Sequence, residues 1–365
     1  METRQVTMVA SLLALAFLWS GLSWGASADK PWGPMSEIEN AARKEGRLTI
    51  YAAPGHVSAD AQQAIGPFFK ERYGITIDWT TLSARDISPR VIAEQTTKQY
   101  VADVAMSGIA GNYTELKPRG YVLPILAPST LEKGVWRLDP TIATPKDRDW
   151  LYIFMPLYPS FFINTSLVRP GEEPRSYQDL LFPKWKGKIV LQIPWSGGTG
   201  SGWFRATYKK LGLDYMRALA NQVALVRNVT DSADEVARGQ FPIGISAETT
   251  RGQQLVSQGA PVKFLQPKEG SHLAALGMEL IPNAPHANAA KLFINWFYTK
   301  EGQALYAVKN LVISVRKDIP QDHILPDMRY IEGAPFMMPE AEDFTAQGSQ
   351  EFTKVAQQIF DTGTK

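Results

Sequence analysis

The chain has no cysteine among its 365 residues. That excludes a disulfide framework, a thiol nucleophile and a cysteine for a lipid anchor. Charge of one sign is also missing: 38 Lys and Arg stand against 36 Asp and Glu, a formal net charge of +2. A nucleic-acid surface needs a concentrated basic face, and this balance gives no reason to expect one. Catalytic signatures are absent too. There is no Gly-x-Ser-x-Gly elbow and no His-Glu-x-x-His, and the four histidines, His56, His272, His286 and His323, are scattered. Nothing therefore argues for an enzyme or for a cofactor.

What is present is ordinary globular material, 44% hydrophobic and 20% charged, long enough for two linked lobes. The first residues differ. Arg4 precedes the apolar run Met8–Leu22, and Ala-Ser-Ala follows at Ala26–Ala28. A charged end, a short apolar core and an A-x-A site define a signal peptide over residues 1–28. The competing reading, an N-terminal membrane anchor, asks much of so short and interrupted a run. The expected location is the periplasm of a bacterium, without a lipid anchor.

Along the rest of the chain, strands and helices alternate. Ser36 and Glu39 stand at capping-box spacing and Gly46 stops a helix. Strands are predicted at Arg47–Ala53, over "ITIDWTTL" and over "VADVAMSG", with helices between them. Ser88 and Pro89 read as the N-cap and first residue of the helix before the third strand. This is the rhythm of a parallel sheet, so the fold class is α/β. Prolines punctuate residues 124–145, and a second α/β unit follows. It holds strands at Lys188–Ile193 and Pro242–Ser246, with the helices "GWFRATYKKLG" and "DYMRALANQ" between them. The apolar stripe Ala290, Phe293, Ile294 and Phe297 marks a later helix, and one more is predicted near Gln350–Phe360.

In open parallel sheets ligands bind beyond the carboxyl ends of the strands, so the residues at those ends are the candidates. His56 follows the first strand as a possible contact or as a plain loop histidine. Arg85 and Arg90 flank a helix start after the second, where forked guanidinium bonds and exposed amides favour an anion. Asp86 suits a cap. Ser107 follows the third strand. After the fourth comes Trp195–Phe204, "WSGGTGSGWF". Ser196, Gly198, Thr199, Gly200 and Ser201 offer hydroxyls and closely approachable amides at a helix start, an anion cradle. It is no nucleotide loop, because no Gly-Lys-Ser/Thr closes it. Glu248 and Arg251 follow the fifth strand, where they grip a ligand or pair with each other. Tyr158 lies where the chain returns through a hinge.

Four stretches taken together carry a resemblance: "ARKEGRLTIYAA", "PKWKGKI", "FPIGIS" and "ANAAKLFINWFYTKEGQALY". In this order the chain resembles bacterial extracellular solute-binding proteins of ABC transporters, in the ferric-iron-binding branch. The resemblance implies the type II periplasmic binding fold, two α/β lobes joined by a hinge with a central ligand cleft. Lobe 1 is expected at residues 29–128 and 262–318, and lobe 2 at 129–261 and 319–365. It further implies a monomer that delivers its ligand to a membrane permease with an ATPase. Iron-binding members place two tyrosines where this chain has Glu248 and Thr249. His56, Asp86 and Glu248 are thus an alternative metal set, whereas Ser196–Ser201 matches the stretch that holds an oxyanion. The expected ligand is a small anion, a phosphate or phosphonate ester or an organic acid.

Overall fold

The structure is a computed structural model that describes residues 32–53, 55–195, 198–227, 229–247, 249–338 and 346–361. The signal-peptide expectation therefore falls outside the described residues, as do Ser196 and Glu248 themselves.

The strands, in chain order, are β1 (Arg47–Ala52), β2 (Thr76–Thr81), β3 (Val104–Gly108), β4 (Leu151–Tyr152), β5 (Leu157–Tyr158), β6 (Phe161–Asn164) and β7 (Ile189–Gln192). They continue with β8 (Val223–Val226), β9 (Ile243–Ile245), β10 (Val262–Leu265), β11 (Ser271–Leu273), β12 (Leu276–Leu280) and β13 (Phe336–Met337). The helices are α1 (Met35–Glu45), α2 (Ala59–Tyr73), α3 (Ala84–Thr97), the single turn α4 (Ile109–Gly111) and α5 (Gly198–Ala220). After these come α6 (Val229–Ala237), α7 (Thr249–Ser257), α8 (Ala287–Phe297), α9 (Lys300–Asn310) and α10 (Ala346–Phe360).

Two five-stranded sheets carry the architecture. The first has the order β2-β1-β3-β12-β4, and the second β10-β6-β9-β7-β8. In the first, β1 runs parallel to β2 and β3, while β12 lies antiparallel to β3 and β4. In the second, β7 runs parallel to β8 and β9, and β6 is antiparallel to β9 and β10. Strand β1 is buried on both faces: Leu48, Ile50 and Ala52 join one core cluster, and Tyr51 and Ala53 another. Two-faced burial is why the parallel strands read as near-continuous apolar runs. The apolar stripe of α8 meets α2 here, with Phe69 ring centroids 5.4 Å from Phe293 and 4.8 Å from Trp296. The second sheet packs Phe161, Ile189, Leu191 and Ile243 against Trp203 and Phe204 of α5, and α10 closes that core with Ala356 and Phe360.

The chain passes between the sheets twice through paired strands. It leaves the first sheet after Tyr152 and enters the second at Phe161; it returns between Leu265 and Leu276. The lobe limits drawn from the sequence put these passages at 129 and 262, whereas strand pairing puts them at 153–160 and 266–275. Within the passages β5 and β11 pair antiparallel, His272 opposite Tyr158, and β13 adds a third strand beside β11.

Several helix limits differ from the sequence reading. The box at Ser36 and Glu39 does not form: α1 starts one residue after Pro34, without a side-chain cap, and Glu39 bonds Arg43 instead. Helix α3 starts after Ser83 and runs through Pro89, which leaves Ser88 buried inside it. Gly200 and Ser201 already lie within α5, which keeps its two expected segments on either side of Gly212, whose φ of 81° breaks the helix.

Candidate functional site

A cavity of about 380 Å³ is enclosed by the loop after β1, the first passage, the start of β12, the segments after α9 and helix α7. That volume is in the range of small-molecule sites. The loop after β1 contributes Gly55, His56 and Ser58; the first passage contributes Phe154–Leu157; α7 contributes Thr249 and Gln253. Leu276, the segment Asn310–Ile313, Ile324 and Met328 complete the wall. Residues of the first sheet's loops thus face residues that extend the second sheet, with the crossing strands between them.

Each wall has a local cause. Backbone N–H of His56 donates to Ala53 O at 3.0 Å, and the His56 side chain is buried. The His56 carbonyl accepts from the Tyr306 hydroxyl and from Asn310 Nδ2. Ser58 caps α2 by accepting from Ala61 N, and its own amide donates to Asn310 Oδ1 at 2.6 Å. Ser58 and Asn310 are therefore engaged within the first lobe. Helix α7 is drawn close to β10 by Gly252, where a Cβ would fall 2.2 Å from Phe264 Cζ. This close approach carries the first turn of α7 to the cavity. There Thr249 Oγ1 is shielded from water and makes no hydrogen bond. Met155 N–H bonds Ile313 O at 2.8 Å and ties the first passage to the segment after α9.

Among the described residues no Lys, Arg, Asp or Glu lines the cavity. Its polar side chains are His56, Ser58, Thr249, Gln253 and Asn310, and the remainder of the wall is apolar apart from Gly55.

Of the residues named from the sequence, the cavity takes in His56 and the immediate neighbours of Tyr158 and Glu248. Arg85, Ser107, Thr199, Gly200, Ser201 and Arg251 do not line it. Arg85 is exposed in the first turn of α3. Asp86, also exposed, accepts from Ser83 Oγ at 2.6 Å. Ser107 is buried and donates to Glu279, with Oε1 at 3.2 Å and Oε2 at 3.0 Å. Burial pushes the Glu279 carboxyl up to about 8 despite this bond. Gly200 donates its amide to Gln192 Oε1 at 2.7 Å, and a Cβ there would fall 2.8 Å from Gln192 O. One amide of the expected cradle is thus turned back onto β7. Thr199 and Ser201 are half-buried on either side of it. Arg251 pairs with Asp234 of α6 at 2.7 Å. Gly198 opens α5, and Tyr158 lies on β5. No group of three or more His, Asp or Glu poised to hold a metal occurs among the described residues.

Sequence reasoning missed Thr249 as a wall residue, along with the apolar set from Phe154 to Leu157 and from Leu311 to Ile313. The signal for Thr249 was its place just past the fifth strand. The apolar set carried none, since its residues read as core.

The second-lobe end of the hinge has its own polar pair. Ser246 Oγ lies 3.3 Å from His272 Nε2, and Ser246 takes a left-handed φ of 57°. Burial pushes the His272 imidazole down to about 3, so it stays neutral near pH 7.

The family model of bacterial extracellular solute-binding proteins matches residues 48–309, well over half of the chain, which belongs to this family. A Salmonella typhimurium protein, named for a proposed binding of 2-aminoethylphosphonate in the periplasm, is 22% identical over 327 residues, 85% of this chain and 91% of its own. The periplasmic binding protein AfuA of Actinobacillus pleuropneumoniae, solved with fructose-6-phosphate, superposes with a TM-score of 0.66 at 18% identity, covering 86% of this chain and 98% of that one. Ferric iron-binding protein A of Mannheimia haemolytica, in an open conformation, gives 0.70 at 16% identity, over 86% and 99%. These structures establish the type II periplasmic binding fold expected from the sequence.

Proposed function

We propose that this chain is the periplasmic receptor of an ABC importer and that it captures a small organic acid, phosphonate or phosphate ester by closing its lobes. The observation that carries the reading is the cavity, whose walls come from the first-lobe loop at His56, the first passage, the segment after α9 and the start of α7. A ligand touching both lobes favours the closed state over the open one, which is how such a receptor signals that it is loaded. The acidic group is assigned to the start of α7, where exposed helical amides and the Thr249 hydroxyl supply donors. The relatives named for 2-aminoethylphosphonate and solved with fructose-6-phosphate support a phosphorus-containing acid, while the Mannheimia relative is named for ferric iron. The partner would be a membrane permease with its ATPase.

A second reading keeps His56, Asp86 and Glu248 with an accompanying anion as ligands of a ferric-type ion carried as cargo; of these His56 lines the cavity and Asp86 is exposed on α3. Phenolates suit a hard trivalent cation, and the chain has Glu248 and Thr249 where iron-binding relatives have tyrosines, so this reading is the weaker. Mass spectrometry of the co-purified ligand, with thermal-shift assays against 2-aminoethylphosphonate, fructose 6-phosphate and ferric citrate, separates the two. A stabilised melting transition with an acid alone supports the first, since a ligand that binds only the folded state raises stability by mass action. Stabilisation by iron alone would replace it with the second.

A further inference from the structure

We infer that the captured acid carries an apolar body of several carbons, and that Leu311 is a specificity-determining residue for it. This rests on the receptor reading above and names the substrate class of the same cavity.

The wall is divided by origin. Beside Ser58 and Asn310, the polar side chains of the wall are His56, Thr249 and Gln253, from the β1–α2 loop and α7. The hinge passage and the segments after α9 contribute Met155, Leu157, Ile313, Ile324 and Met328 instead. Ser58 and Asn310 bond each other and so add little. A ligand polar at every atom would press hydroxyls or an ammonium against this second set without partners, a costly arrangement.

Leu311 gives an independent observation. It caps α9 with φ 53°, its amide bonding Ala307 O. Helices α1 and α2 end in the same left-handed conformation on Gly46 and Gly74, as Cβ sterics favour, and α3 ends in it on Lys98, a polar side chain exposed to water. At α9 the chain keeps leucine in that conformation, on the cavity wall and 52% exposed. Its side chain gains neither backbone ease nor full burial from the protein itself. An apolar ligand body would supply the missing cover.

The test is calorimetric titration of the chain with methyl-, propyl- and pentylphosphonic acid, and with the matching alkyl carboxylates. It is repeated on Leu311→Gly and Leu311→Asn, two residues that suit a left-handed cap. Affinity is expected to rise about fourfold per added methylene until the cavity is filled. Leu311→Gly should keep the parent's melting temperature, lose several-fold affinity for the pentyl acid and leave the methyl acid unchanged. An affinity independent of chain length would overturn the apolar body while leaving the acid receptor standing. An equal loss for the methyl and pentyl acids in Leu311→Gly would overturn the role of Leu311. If no acid of either series binds while ferric ion or a neutral sugar does, both this inference and the reading beneath it fail.

Discussion

Two helix starts in the second lobe, those of α5 and α7, look alike in principle and behave differently. Both follow a strand of the same sheet, and both point backbone amides outward from its carboxyl edge. The first is rich in glycine and hydroxyls, yet the Gly200 amide is held by Gln192 of the preceding strand. The second is plain in sequence, and its Thr249 hydroxyl reaches the cavity without a partner. A donor contributes to a ligand only when the fold has not already satisfied it. Glycine content measures how closely a backbone can be approached, and in α5 it is the protein's own strand that approaches.

Ser107 belongs with α5 in this contrast, a strand-end hydroxyl engaged inside the protein, and its partner gives the largest expected effect. An acid held at about 8 in the folded chain, against an ordinary 4.5, keeps a proton that the unfolded chain releases over that interval. Stability contributed by Glu279 therefore falls as pH rises from 4.5 to 8. Thermal melts should show a smaller loss between pH 5 and pH 8.5 in Glu279→Gln than in the parent, about as large as any single-site pH effect in a buried carboxyl. Overlapping pH profiles would return Ser107 to the list of ligand contacts.

Next in size is Gly252→Val. Its side chain would collide with Phe264, and overpacking of this kind costs about 1–3 kcal/mol. Denaturant melts should show that loss, with binding weakened because the start of α7 shifts. Undiminished binding would mean that α7 does not form a wall of the working site.

Thr249→Val should weaken binding of the cognate acid by about tenfold, the loss of one hydrogen bond to a charged group. Thr199→Ala and Ser201→Ala should change it less than about twofold, within the spread of groups not in contact. Titration calorimetry on the three variants decides the matter, and the opposite ranking would move the anion to α5.

The smallest effect is on stability alone. Gln192→Ala removes the acceptor of the Gly200 amide and should cost about 0.5–2 kcal/mol, as helix caps do, with affinity preserved. A gain in anion affinity would show that Gln192 competes with the ligand for that amide.

Much of the fold could be read from residues alone. Leu48, Ile50 and Ile77 announced buried strands, Gly46 and Gly74 announced helix ends, and the stripe on α8 announced its packing face, because periodicity and left-handed caps are local properties. The strands β5 and β11, each two or three residues long, escaped notice because so short a pairing leaves no period. Pro89 favours a helix start, but α3 extends about one and a half turns further back, to its N-cap at Ser83. At the site, His56 was legible as a residue beyond a strand. Met155, Ile313 and Met328 were not, since an apolar side chain facing a cavity and one facing a core have the same spelling.

Local periodicity and four motifs in order were enough for the α/β rhythm, the candidate strand ends and the family. Which strand ends converge, and which donors stay unsatisfied, depends on the folded chain, because hydrogen-bond satisfaction is settled by partners distant in sequence. Gln192 reaches α5 across a turn, Glu279 comes to Ser107 from 172 residues away, and the wall of the cavity is closed by a leucine more than 250 residues after His56.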